Sequence, residues 1–126
     1  MNQNPHSEAD KGRIRSVIQR YIDGARSSGS EVMATTFHDQ ATVFGYLGND
    51  LVAGPIAVLF DWHQENGPAT GLHARIERID IAGSVATVRL ELHGWTGHRF
   101  TDLFTLLRVD GGWKIMNKVF HLHEIE

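Results

Sequence analysis

Two apolar-rich runs near the end of the chain are joined by Asp110-Gly111-Gly112. Glycine tolerates the positive φ that a tight turn between twisted strands requires, so this pattern predicts a β-hairpin over residues 99–126. A two-residue turn at Gly111-Gly112 would fix the register, because the paired residues follow by counting outward from the turn. This register predicts that Asp102 lies directly opposite His121, with a carboxylate facing an imidazole.

The sequence before the hairpin predicts helices first and a series of strands afterwards. Helices are predicted to begin at Ser7, Ser30 and Gly54-Pro55, and the second of them to reach Phe37. Strands are predicted at Ala41–Leu47, Leu51–Ala53, Leu72–Ala82 and Val85–Trp95. A bulge near Glu77-Arg78 would bring the apolar residues of the third strand onto one face. Each helix has one apolar stripe, which must be buried against the sheet.

These elements predict the α+β class, with a curved, mostly antiparallel sheet wrapped around three helices of the N-terminal half. Two successive helices before any strand argue against an alternating βαβ fold. We expect a flexible tail at residues 1–6 and a single domain at residues 7–126. The opening between helices and bent sheet is where a pocket is expected.

Composition limits the classes of function. The chain has 126 residues, a formal net charge of −3 and no cysteine. The absence of a basic stripe argues against nucleic-acid binding, and the absence of cysteine excludes disulfides and thiolate metal sites. No run is long and apolar enough for a membrane span, and the polar start does not resemble a secretory signal. We therefore expect a cytoplasmic protein.

Two motifs carry a family resemblance: Phe100-Thr101-Asp102, and the run from Asp110 to Ile115. They resemble the nuclear transport factor 2-like superfamily, whose cystatin-like fold is a cone. The run from Asn117 to His121 is similar to its putative lumazine-binding and polyketide cyclase-like branch. The resemblance implies an internal pocket, a small planar ligand, and a homodimer formed through the outer face of the sheet. It implies no particular chemistry, because members of this fold place different residues in the cone.

Asp102 and His121 are the candidate catalytic residues. A carboxylate holds an imidazole in one tautomer and makes it a stronger base, so the pair could remove a proton next to a carbonyl or dehydrate a small substrate. The alternative is a polar pair that only anchors the sheet. The prediction requires Asp102, Phe104 and the residues that alternate with them to face inward. The residues of the other face, which include Leu103, are also apolar, so the sequence leaves open which face is the inner one.

Tyr46, Trp62, Phe104 and Asn117 are the candidate ligand-binding residues. Tyrosine can donate to a developing oxyanion, although an aromatic wall with a solvated hydroxyl is the simpler interpretation of Tyr46. Trp62 could stack on a planar ligand or belong to the core. Asn117 must be hydrogen-bonded if it faces inward, either to a ligand or to the backbone.

The pattern His121-Leu122-His123 places two imidazoles on one side of a strand, a spacing that can chelate a metal. A third ligand would be needed, such as Asp102 or His73. Without a second metal motif we expect neither a metal nor a cofactor.

The sequence thus predicts a small-molecule-binding protein with a pocket between helices and sheet. One alternative is a cofactor-independent lyase or isomerase that uses Asp102 and His121. A second alternative is a structural or regulatory dimer module.

Overall fold

The computed structural model describes residues 5–125, so residues 1–4 of the predicted tail lie outside the described residues. The helices are α1 (Pro5–Arg26), α2 (Glu31–Ala34) and α3 (Ala57–Asn66). The strands are β1 (Phe37–Leu47), β2 (Asp50–Pro55), β3 (His73–Ala82), β4 (Val85–Trp95), β5 (His98–Val109) and β6 (Gly112–Ile125). Within the described range, no helix has both the length and the apolar character needed to cross a membrane.

The six strands form one sheet in the order β2-β1-β6-β5-β4-β3. Strands β3 to β6 form the predicted antiparallel meander, and β1 pairs with β2 as the predicted short hairpin. The α+β prediction is confirmed. The parallel pairing of β1 with β6, which completes the sheet, was not predicted from the sequence.

Three predicted boundaries shift by a few residues. Helix α1 begins at Pro5 rather than Ser7, because a proline in the first helical turn lacks only an N–H that would be unpaired anyway. Phe37 opens β1, where it pairs with Ile115, instead of ending the second helix. Pro55 ends β2, an edge strand where proline is tolerated, rather than starting the third helix.

The predicted bulge in β3 is confirmed, because the register with β4 shifts between Ile76 and Arg78. The alternation predicted for β4 is confirmed as well. Its buried residues Ala86, Val88, Leu90 and Leu92 face the helices.

The predicted register of the final hairpin is wrong. The turn is formed by Asp110 and Gly111, with φ of 51° and 78°, so that Val109 pairs with Gly112. Positive φ at both central residues is the geometry of a type I′ turn, for which Asp-Gly is a favoured sequence. The hairpin therefore closes one residue earlier than predicted.

A second shift follows in the same hairpin. Leu106 pairs with Ile115, but Thr105 pairs with Asn117, which leaves Met116 as the extra residue of a bulge. The side chains of β6 change face at this point. Trp113 and Ile115 are buried before the bulge, and Lys118 is buried after it.

Helix α1 packs its apolar stripe on the concave face of the sheet, and its first turns are tied to the hairpin through Asp10. The Asp10 carboxylate accepts hydrogen bonds from Trp113 Nε1 at 3.2 Å and from Arg108 at 2.5 Å. Burial raises the pKa of Asp10, but these two partners lower it more, so the pKa lies below its usual value. This contact fixes α1 above the sheet, with Ile14, Ile18 and Tyr21 in the core.

Candidate functional site

An open cavity lies between α3, the β1-β2 hairpin and the last two strands. The cavity has a volume of about 60 Å³. Its lining consists of apolar side chains and one charged side chain: Val43, Leu47, Val52, Val58, Leu59, Trp62, Trp95, Phe100, Phe120 and Lys118. A mostly apolar lining with a single charged group is typical of small-molecule sites.

Four aromatic rings form a continuous wall of the cavity. Trp62 contacts Trp95 with ring centroids 6.1 Å apart, Trp95 contacts Phe100 at 6.1 Å, and Phe100 contacts Phe120 at 5.8 Å. Neighbouring rings are inclined by 63° to 83°, so each ring meets the edge of the next. Such a wall favours a planar, mostly apolar ligand.

The position of Phe120 depends on Gly45, its register partner on β1. A Cβ at position 45 would lie 2.6 Å from the Phe120 ring and its backbone oxygen, closer than atoms can approach. Glycine at this position therefore makes room for the ring in the cavity wall.

Lys118 is the charged residue in the cavity lining, and the residue is only 4% exposed. Its Nζ lies 5.1 Å from the ring centroid of Trp95, 5.4 Å from that of Phe120 and 5.6 Å from that of Tyr21. An ammonium at these distances is attracted by the ring faces. The ammonium thus lies at the end of the aromatic wall, where a ligand's polar group would meet it.

Asp102 is the counterion of Lys118. Its Oδ2 lies 3.8 Å from Lys118 Nζ and accepts a hydrogen bond of 3.4 Å from the Tyr21 hydroxyl. The two charged residues are diagonal neighbours on the inner face, because Asp102 pairs with Phe120. The other carboxylate oxygen of Asp102, Oδ1, is buried and has no hydrogen-bond partner among the described residues.

Burial shifts the pKa of all three groups. Loss of solvent raises the pKa of Asp102 to about 6, although the nearby Lys118 charge lowers it. Burial lowers the pKa of Lys118, and Asp102 opposes that shift. Burial and then the Asp102 charge raise the pKa of Tyr21 well above its usual value. Asp102 is therefore closer to accepting a proton, and Lys118 closer to losing one, than exposed residues of these types.

The predicted contact between Asp102 and His121 is not formed. The turn and the bulge place His121 opposite Thr101, on the outer face of the sheet, whereas Asp102 faces the core and is 1% exposed. The His121 ring is exposed beside His123, with ring centroids 4.6 Å apart. The geometrical basis for an Asp102–His121 pair is therefore absent.

The predicted ligand-binding residues divide among three environments. Trp62 lines the cavity. Phe104 faces inward but is packed in the core, 5.3 Å from the Tyr21 ring centroid. Tyr46 and Asn117 lie on the outer face, where Asn117 Nδ2 donates to the Thr42 hydroxyl at 2.9 Å. Their predicted place in the pocket is wrong.

A polar network occupies the outer face of the sheet near His121. The Thr101 hydroxyl lies 2.7 Å from Glu91 Oε2 and 2.7 Å from His123 Nε2. Burial raises the pKa of Glu91, but the Thr101 and Arg89 hydrogen bonds lower it more, so the net shift is downward. In the part of the chain that the structure describes, no group of three or more His, Asp or Glu side chains is placed to hold a metal ion.

Lys118 and Tyr21 were not identified as site residues from the sequence. Tyr21 lies in the apolar stripe of α1, where a hydroxyl needs a buried partner, and that requirement was a usable signal. The sequence signal for Lys118 was weaker, because uninterrupted alternation from Ile115 places this residue on the outer face. Recognising it required the bulge at Met116.

A cone formed by a curved sheet around a long helix, with a cavity at its open side, defines the nuclear transport factor 2-like class. Residues 9–121 match the family described as putative lumazine-binding. The chain belongs to this family, and the predicted resemblance is confirmed.

Solved structures with high similarity come from two bacteria. A nuclear transport factor 2-like protein of unknown function from Methylobacillus flagellatus KT is 48% identical, with 92% of this chain and 94% of that chain covered and a TM-score of 0.89. A protein of the same description from Shewanella baltica OS155 is 37% identical, with 98% and 99% covered and a TM-score of 0.87.

A relative with a named activity is more distant. The aldolase FrzH of a Cladobotryum species is 24% identical over 102 residues, which cover 80% of this chain and 82% of the relative.

Proposed function

We propose that this protein binds a small, planar and mostly apolar molecule that carries an oxygen acceptor. The observation that carries the proposal is the combination of a four-ring aromatic wall with the Lys118 side chain at its end. The rings would contact the flat body of the ligand. The Lys118 ammonium would donate to its oxygen, a strong interaction because Lys118 is almost fully buried.

Binding is tested with lumazine, the planar heterocycle in the family's description, and with benzyl alcohol as a smaller probe. We expect saturable changes in tryptophan emission, because Trp62 and Trp95 line the cavity. The melting temperature should rise with probe concentration, since a ligand that binds the folded state stabilises it.

Two adjacent residues of β2 provide a matched pair of variants. Val52 lines the cavity, whereas Ala53 is exposed on the opposite side of the strand. Val52→Trp should fill the cavity and abolish binding, and Ala53→Trp should leave binding unchanged. Equal affinity in both variants would place the ligand elsewhere. A complete lack of binding by benzyl alcohol, by lumazine and by other planar heterocycles would contradict the proposal.

A second candidate function is catalysis at a carbon next to a carbonyl, as a lyase or isomerase. The predicted Asp102–His121 pair does not support it, but Lys118 lines the cavity and the buried Asp102, a proton acceptor, lies 3.8 Å behind its Nζ. A distant relative is named an aldolase, an enzyme that makes or breaks a carbon–carbon bond next to a carbonyl. Exchange of α-hydrogens of acetophenone for deuterium, lost in Asp102→Asn, would support this function.

We also propose that the outer face of the sheet forms a homodimer. Phe44, Val119 and Leu103 pair in register across three neighbouring strands, and each is 40% to 51% exposed. A contiguous apolar row on a sheet is typical of an interface. If ligand binding fails and dimerisation holds, the dimer-module alternative gains support. The cytoplasmic location stays a prediction from the sequence.

A further inference from the structure

We propose that the Lys118 amine forms an imine with a small apolar aldehyde or ketone bound in the cavity. This inference rests on the proposed function, since it names the class of ligand, carbonyl compounds, that the same cavity would hold. It adds a covalent step that binding alone does not require.

The geometry places the amine next to the position that the carbonyl carbon of a bound ligand would occupy. Lys118 is part of the cavity lining, and its Nζ is held over the Trp95 and Phe120 rings that form the adjoining wall. A planar carbonyl compound stacked along this wall would present its polar end to Nζ. Holding two reacting groups together in this way removes much of the entropic cost of their reaction.

The surroundings of Lys118 favour a nucleophilic amine. Three aromatic rings around Nζ replace water, and the neutral amine is easier to bury than the ammonium. A lysine desolvated in an apolar pocket is activated as a nucleophile towards carbonyl groups. The lowered pKa of Lys118 agrees with this effect.

The chain provides internal controls, because it contains three lysines: Lys11, Lys114 and Lys118. Lys114 lies on the same strand, but its Nζ donates a 2.8 Å hydrogen bond to the Thr35 carbonyl outside the cavity. Lys11 lies on α1 and is not one of the residues that line the cavity. Selective reaction at Lys118 would therefore report the cavity rather than general lysine reactivity.

The step balances as a condensation. Asp102 Oδ2, 3.8 Å away, takes the ammonium proton, and the Nζ lone pair then attacks the carbonyl carbon. The carbonyl π electrons move to oxygen, which receives a proton from the newly bonded nitrogen to give a neutral carbinolamine. Asp102 returns its proton to this oxygen, the C–O bond breaks as water leaves, and the nitrogen lone pair forms the C=N bond of a protonated imine. Hydrolysis reverses the reaction, so no oxidant or reductant is needed.

Trapping with benzaldehyde and sodium cyanoborohydride tests the inference. Hydride adds to the imine carbon and leaves a stable benzylamine, so one hydrogen of the amine is replaced by one benzyl group. Intact-mass measurement counts the labels, and peptide mapping locates them. We expect a single label on Lys118 at low benzaldehyde concentration, with Lys11 and Lys114 unlabelled.

Variants at matched lysines sharpen the result. Lys118→Arg retains the positive charge without a nucleophilic amine and should lose the label, whereas Lys114→Arg should retain it. Melting curves show whether each variant is folded. If Lys118→Arg does not fold, mapping of the label on the wild-type chain still decides the inference, because it compares all three lysines in one folded molecule.

Benzyl alcohol separates this inference from the proposed function, since it has the same ring but no carbonyl carbon. Saturable binding of benzyl alcohol together with equal or no labelling of the three lysines would overturn the imine and leave the binding function intact. Failure of both probes to bind, with no selective label, would overturn both. A label on Lys118 that benzyl alcohol suppresses by competition would support both.

Discussion

Asp102 and Lys118 place opposite charges inside an aromatic interior, where each charge loses its hydration. A buried ion pair of this kind contributes little net stability, because desolvation offsets much of the attraction between the charges. Removal of one partner is costly, since the other is then left buried and unpaired. Such a pair is more readily explained by a role in the cavity than by a role in folding.

The raised pKa of Asp102 predicts a specific pH dependence of stability. The folded carboxyl has a pKa of about 6, whereas an unfolded aspartate has a value near 3.9. Its contribution to stability is therefore fully present below the unfolded pKa and is lost as the pH rises through the folded pKa. A difference of roughly two pKa units corresponds to about 3 kcal/mol.

Urea unfolding at pH 4 and pH 7 measures this contribution. Relative to Asp102→Asn, the wild-type chain should lose about 2 kcal/mol of unfolding free energy between the two pH values, because at pH 4 the unfolded aspartate is already partly ionised. Groups that do not interact with Asp102 cancel in the difference. Asp39→Asn, at an exposed carboxylate, is the control and should show the same loss as the wild type, because it retains Asp102. Parallel pH profiles for the wild type and Asp102→Asn would contradict a shifted carboxyl.

At the level of elements, the close crossing of α1 and α2 depends on Gly24. A Cβ at position 24 would lie 2.6 Å from the backbone nitrogen of Met33 in α2, and Met33 is fully buried. The neighbour is backbone, so it cannot move aside without displacing the helix. Gly12, on the same helix, has open space where a Cβ would stand.

These two glycines predict opposite effects of one substitution. Gly24→Ala should destabilise the protein by about 1–3 kcal/mol, because overpacking outweighs the better helix propensity of alanine. Gly12→Ala should stabilise it by about 0.5–1 kcal/mol, because only the propensity gain remains. Thermal unfolding of both variants checks the prediction, and a stabilising Gly24→Ala would show that the helix contact is looser than described.

The sequence predicted the elements better than the contacts between them. Alternation in β4 and the bulge in β3 were visible because the polar and apolar residues of these strands separate cleanly. In β6 both phases are apolar, with Ile115 and Val119 in one and Phe120 and Leu122 in the other, so the bulge at Met116 left no pattern. The true Asp110-Gly111 turn moved the pairing by two residues, and the bulge moved it back by one. Together they moved His121 away from Asp102 and brought Lys118 to the cavity.

At the level of the whole molecule, the two faces of the sheet have different tasks. The concave face holds the core and the cavity, and the convex face exposes several rows of paired side chains, three of which lie next to one another near the middle of the sheet. The middle row is apolar, with Phe44, Val119 and Leu103. The rows on either side contain mostly polar residues, including Asn117 and Thr105 in one, and His121 and Glu91 in the other. An apolar centre with a polar rim is the usual arrangement of a protein interface.

The proposed dimer predicts that a charge in the middle row separates the subunits. Light scattering at low micromolar concentration should give twice the 14.1 kDa mass of one chain for the wild type. Val119→Asp should give a single-chain mass, because a carboxylate buried at an apolar interface without a partner is costly. Val32→Asp is the matched control: Val32 is 43% exposed against 42% for Val119, but it lies on α2 rather than on the convex face. The control should remain dimeric, and a monomeric wild type or dissociation by both variants would argue against this interface.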